Sequence, residues 1–118
     1  MTQSGPNIEE IRASRDRLSS EILRTPVLPC PGIESLLQNS TEVHAKLEFL
    51  QRTGTFKARG ALATIRSLDA DSLRRGVTAV SAGNHAIATA FAARAVGTSA
   101  KVVMISSANP SRIDACRA

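Results

Sequence analysis

Apolar positions three or four residues apart mark two clear helices, and a third is marked by its alanine content. Ile8, Ile11, Leu18 and Ile22 recur at helical spacing with Arg and Glu between them, which predicts a helix over 8–23. Asn7 followed by Glu10 reads as a capping box at its start, with Pro6 just outside. Ala61, Leu62, Ile65 and Leu68 predict the buried side of a second helix over 56–68, and the Ala-rich run 86–96 predicts a third that ends at Gly97.

Between these lie shorter signals. Three prolines in 24–31 forbid helix and favour an extended strap. A short helix is expected over 33–37. Val43, Ala45 and Leu47 alternate over 42–48, which suits a strand, and 52–55 reads as a polar turn. Residues 69–76 read as a polar connection before the β-branched run 77–80, and 101–106 reads as a further strand. Asn109-Pro110 is a cap and first residue for a last helix. The second half is therefore strand, loop, helix, strand, helix, the order of a parallel βαβ unit.

At 118 residues, 42% of them apolar, the chain is the size of one small α/β domain. Three Phe and no Tyr or Trp oblige the core to be aliphatic. The net charge of +5 permits anion binding, but the cations are scattered and no aromatic residues interleave with them, which argues against nucleic acid. Cys30 and Cys116 stand far apart without metal-type spacing, and the expectation is two free thiols and no metal. No signal core opens the chain, and Arg94 interrupts the most apolar run, so a cytoplasmic, non-membrane protein is expected.

Two segments carry chemistry. In Thr53-Gly54-Thr55-Phe56-Lys57-Ala58-Arg59-Gly60-Ala61 a lysine falls in the first turn of a helix, where the dipole disfavours a cation. Together with desolvation beside Phe56, this would favour a neutral amine for Schiff-base formation or proton abstraction. The competing reading is an ordinary solvated lysine. In Ser81-Ala82-Gly83-Asn84-His85-Ala86 a small-residue loop follows a strand and opens a helix, an arrangement that can hold an anion on its amides, with side-chain donors from Ser81, Asn84 and His85. Here the competing reading is a plain helix cap made by Asn84. Neither a G-x-G-x-x-G fingerprint nor a P-loop is present.

Taken together, the two segments resemble the cofactor-lysine region and substrate loop of threonine dehydratases and serine racemases, members of the tryptophan-synthase-β-like (fold type II) pyridoxal-phosphate enzymes. The resemblance starts at Leu47, runs through Lys57 to Ala61 and resumes at 81–86. Arg24-Thr25-Pro26-Val27-Leu28 is similar to the family's N-terminal strap, and Ile113 to Arg117 also fits. In all it covers nearly everything from about residue 20.

The resemblance implies two α/β lobes with the cofactor between them, residues 1–72 belonging to the larger and 73–118 opening the smaller. Pyridoxal 5'-phosphate would be held as a Schiff base by Lys57, walled by Phe56, with Asn84 on the 3'-oxygen of its ring. Ser81, Ala82, Gly83, Asn84 and His85 would hold the substrate carboxylate. It further implies dehydration and deamination of L-threonine or L-serine to a 2-oxo acid and ammonia by a dimeric or tetrameric enzyme. The family's glycine-rich phosphate cradle would lie beyond residue 118, so a partial chain is expected. At Ala82 racemases of the family commonly carry serine, and at Ile87 many relatives carry glutamine. Cysteine synthases show a Thr-Ser-Gly-Asn-Thr-type loop, so His85 argues against β-replacement. The readings left open are a racemase, a β-replacement enzyme, and a non-catalytic βαβ module that binds a nucleotide or other anion at 81–86.

Overall fold

Asn7 and Glu10 begin the first helix by exchanging bonds: the Glu10 amide donates to Asn7 Oδ1 at 2.9 Å and the Asn7 amide to Glu10 Oε2 at 2.8 Å. This is the capping box read from the sequence. A computed structural model describes residues 5–18, 20–37 and 39–118. In it α1 runs Ile8–Leu18, shorter than the expected 8–23, because the chain turns at 20–22 with the Glu21 and Ile22 amides both bonded to the Leu18 carbonyl.

The proline strap is extended as expected and contributes β1 (Val27–Pro29), which pairs antiparallel with β2 (His44–Lys46), Leu28 opposite Ala45. Between them α2 occupies Pro31–Glu34, starting two residues before the expected position because Pro31 suits a first helical turn. Two 3₁₀ turns, Glu48–Leu50 and Arg52–Gly54, lead to α3 (Lys57–Arg66).

Residues 69–76 depart from expectation. They form a helix, α4 (Ala70–Arg75), not a bare connection, because Asp69 caps it by accepting the Ser72 amide at 2.7 Å. Then come β3 (Val77–Val80), α5 (Asn84–Val96), β4 (Ala100–Val103) and α6 (Pro110–Arg117). β3 and β4 are parallel, Val77 opposite Ala100, with α5 as the crossover, so the βαβ unit is present. Gly97 ends α5 in the left-handed conformation (φ 78°, ψ 30°), and Asn109 caps α6 through the Ser111 amide at 2.9 Å.

The core explains the aromatic-poor composition. Leu18, Ile22, Ala58, Ala61, Leu62 and Ile65 pack against Ala88, Ala92 and Ala93 in one cluster. Five of these nine are alanines, small enough to let α3 and α5 approach closely along their length. Among the described residues Leu62 alone of the larger side chains is wholly enclosed. This cluster draws on both sides of position 72. The architecture is mixed α/β with a parallel βα unit. Among the described residues no helix is long and apolar enough to cross a membrane.

Candidate functional site

Lys57 is the first residue of α3, where the sequence put it. Phe56, which precedes the helix, offers no side-chain cap, and the local help at this end comes from Thr55 Oγ1, which accepts the Lys57 amide at 3.3 Å. The Lys57 ammonium lies 5.1 Å from the centre of the Phe56 ring. Both side chains are exposed, Phe56 by 59%. The desolvation expected from Phe56 is therefore not supplied by this segment, since a ring open on one side leaves the amine in water. Among the described residues the amine has no acceptor.

The turn before it is strained. Thr53 sits at φ 65°, ψ 10°, a left-handed conformation that a β-branched residue seldom adopts, and Gly54 follows at φ 69°. The Thr53 hydroxyl is buried without a partner. This turn also packs against α5, the helix that leaves the second segment.

That second segment differs from the simplest expectation at Asn84. Asn84 is the first helical residue, the cap position belongs to Gly83 (φ −129°, ψ −151°), and no side chain caps the helix. The reading of Asn84 as an ordinary cap is thus excluded, and its exposed side chain is free of that duty. Ser81 Oγ is turned inward and accepts the Gly83 amide at 3.2 Å. Ala82 is half-buried, and the His85 carbonyl accepts the Thr89 hydroxyl at 2.8 Å.

A groove of about 310 Å³ brings the two segments to one feature. It runs along α3 from Gly60 through Thr64 to Leu68 just past the helix, with His85 and Thr89 from the first two turns of α5 and Val77 to Ala79 of β3 along its other side. The first turns of both helices thus flank one opening. Lys57, Phe56, Ser81, Ala82, Gly83 and Asn84 are not among its walls, and the side chains of Lys57 and Asn84 are exposed.

Two features had no signal in the sequence. Arg112, from α6, reaches the loop so closely that a Cβ added to Gly83 would meet its Nη1 at 3.0 Å. Glu48 and Arg59 form a two-bond ion pair, Arg59 Nε to Oε2 and Nη2 to Oε1, each 2.7 Å. The Arg59 hydrogen bonds hold the Glu48 carboxyl at about 2, against an ordinary 4.5, with the Thr25 hydroxyl adding to the effect against the opposing cost of burial. Spacings of eleven residues and more leave no periodicity that would disclose such partners. Among the described residues no cluster of three metal-type ligands occurs.

An amine without an acceptor, an aromatic face beside it and a helix start whose amides no side chain caps suit an aldehyde cofactor and an anionic substrate group. Residues 18–118 match the family model described as pyridoxal-phosphate dependent enzyme. The chain belongs to that family, whose members depend on pyridoxal phosphate. It is similar to phenylserine dehydratase of Ralstonia pickettii, 46% identical over 116 residues, which are 98% of this chain and 35% of that protein. Serine racemase of Arabidopsis thaliana is 38% identical over 92% of this chain and 32% of its own length. L-threonine ammonia-lyase of Thermotoga maritima is 39% identical over 82% and 24% respectively. The solved structure of maize serine racemase superposes with a TM-score of 0.84 at 32% identity, covering 97% of this chain and 34% of that one. The chain spans about a third of the length of the curated relatives it matches. The fold is accordingly a partial fold type II α/β domain.

Proposed function

We propose that the protein containing this chain converts a β-hydroxy amino acid of the serine or threonine type to a 2-oxo acid and ammonia, water being lost from the β-carbon and regained as the released enamine hydrolyses, with Lys57 as the lysine that carries pyridoxal phosphate. The observation that carries the reading is an amine without an acceptor in the first turn of α3, a turn whose last residue, Gly60, lines the same groove as His85 from the uncapped first turn of α5. When bound, the cofactor supplies an electron sink that acidifies the bond to the substrate α-hydrogen.

The chain's own residues do the rest. The Lys57 amine, once free, takes the α-proton. The amides around Gly83, Asn84 and His85, with the positive end of α5 behind them, receive the substrate carboxylate. Holding that group fixes which substrate bond is presented to Lys57, an orientation effect. Asn84, relieved of capping, is free to bond the ring oxygen of the cofactor, and Phe56 offers it an apolar wall. Ala82 carries no titratable atom, so the position at which racemases of the family commonly carry serine supplies no proton here, which favours loss of the β-hydroxyl over return of a proton on the opposite side. The same reading assigns 1–72 to a larger lobe and 73–118 to the opening of a smaller one.

The test is borohydride reduction of the cofactor-loaded full protein, followed by mass mapping of the modified peptide. The lysines here are Lys46, Lys57 and Lys101. Label on Lys57, with Lys57→Ala losing both the visible absorbance of the bound cofactor and 2-oxo acid formation, is the expected result. Label on Lys46 or Lys101, or an attached cofactor in Lys57→Ala, overturns it.

A further inference from the structure

The Glu48–Arg59 pair lies outside the groove and has no part in the chemistry above. Arg59 is nevertheless two residues beyond Lys57, separated from it by Ala58, which is wholly buried. Besides its two bonds to Glu48, Arg59 Nη2 donates to the Leu23 carbonyl at 3.1 Å. That carbonyl also accepts Gln51 Nε2 at 2.8 Å, while Gln51 Oε1 accepts the Leu23 amide at 3.0 Å and the Arg52 amide at 2.9 Å. Thr25 donates its hydroxyl to Glu48 Oε1 at 2.5 Å. Gln51 and Thr25 are each only 4% exposed. Three segments distant in sequence, the Leu23–Thr25 strap, the 48–52 turn and the first turn of α3, therefore meet at one polar knot.

The knot adds a polar tie to a first turn that is otherwise held by the burial of Ala58 and the bond of the Lys57 amide to Thr55 Oγ1. Phe56, the residue before α3, offers no side-chain cap, and the approach to the helix runs through the left-handed Thr53 and Gly54. We propose that Glu48 and Arg59 are positioning residues for the Lys57 amine, clamping the first turn of α3 to the strap and the 48–52 turn so that the amine is held in one orientation. The inference rests on reading Lys57 as the cofactor lysine. It draws a natural control from the far end of the same helix. There Arg66 Nη2 pairs with Glu21 at 2.6 Å, with side chains exposed by 30% and 26%, close to the 32% and 18% of Arg59 and Glu48. Arg66 is nine residues from Lys57, roughly 13 Å along the helix.

The experiment compares Arg59→Met, Arg59→Lys and Arg66→Met in the full protein. It follows growth of the visible band after mixing apoprotein with pyridoxal phosphate, the circular dichroism of that band, and thermal stability. Misplacing a reacting group by about 1 Å can cost 10²-fold. Arg59→Met is expected to slow attachment by about 10- to 100-fold and to change the dichroism. Arg59→Lys should fall between, since it keeps the charge but not the two-bond fork. Arg66→Met should lose comparable stability while keeping the wild-type rate and dichroism. Equal slowing in Arg59→Met and Arg66→Met, or wild-type attachment in a destabilised Arg59→Met, overturns the inference. Should Arg59→Met fail to fold, Glu48→Gln makes the same comparison. If reduction of the wild-type protein labels Lys46 or Lys101, the lysine assignment and this inference fall together; if it labels Lys57 while the Arg59 and Arg66 variants behave alike, only this inference falls.

Discussion

Replacing Glu48 by glutamine should weaken the fold at neutral pH and leave it unchanged in strong acid. The carboxylate accepts two bonds from Arg59 and one from Thr25, with Lys46 Nζ 3.8 Å away. Arg59 contributes most to lowering its pKa from 4.5 to about 2. That difference is worth about 3 kcal/mol between the two protonation states. The Glu48 side chain is 18% exposed and that of Arg59 32%, so solvent screens part of this difference. Because the folded-state pKa lies below the unfolded one, this stabilisation is fully present above about pH 5 and is lost as pH falls through 4.5 toward 2. Glutamine keeps the shape and one acceptor oxygen but cannot ionise.

The assay is urea unfolding followed by far-ultraviolet dichroism on both proteins at steps between pH 7 and pH 2. Urea is preferred because guanidinium would screen the ion pair. Other titrating groups are common to both proteins, so the difference between them isolates Glu48. The expected gap is about 2–3 kcal/mol at pH 7, narrowing below pH 4.5 and closing near pH 2. A gap of the same size at pH 7 and pH 2.5 would refute the assignment of the stabilisation to the ionised carboxylate.

Three further outcomes follow from local geometry. Gly76→Ala should cost at least about 2 kcal/mol, because φ is 83° and the new Cβ would meet Ser99 Oγ at 2.2 Å and its carbonyl at 2.9 Å, whereas Gly97→Ala, at φ 78° with nothing within 4 Å, should cost only about 1; thermal melts compare them. Thr53→Gly should raise stability by roughly 0.5–1 kcal/mol, reversing the usual sign for a glycine substitution, since it relieves a left-handed β-branched residue and removes a buried hydroxyl without a partner. Ala82→Ser should raise racemisation of L-serine by about 10²-fold in the cofactor-loaded protein, read by chiral chromatography; an unchanged rate would remove the argument from Ala82.

Much of the fold was legible because its signals are local. The capping box at Asn7 and Glu10, the periodicity of Ala61, Leu62 and Ile65, the stop at Gly97 and the Asn109-Pro110 start each depend on neighbours within a turn, and each forms where the pattern indicates. The misses are local too, but subtler. Asp69 caps a helix too short to show a periodic face, and the extended residue that enters α5 is Gly83, one position before Asn84.

The candidate site divides along the same line. Which residues are candidates for the chemistry, Lys57 and the 81–85 loop, is written in residue type and order, because an amine in a helix's first turn and small residues at a helix start have consequences within a few residues. Whether those two stretches share an opening depends on α3 lying against α5, and that follows from alanines thirty residues apart finding each other. The knot of Leu23, Thr25, Glu48, Gln51 and Arg59 belongs wholly to the tertiary structure. Hydrogen bonds between residues 11 to 36 apart have no periodicity to betray them, since chain entropy lets such partners meet only once the packed core has brought the backbone together.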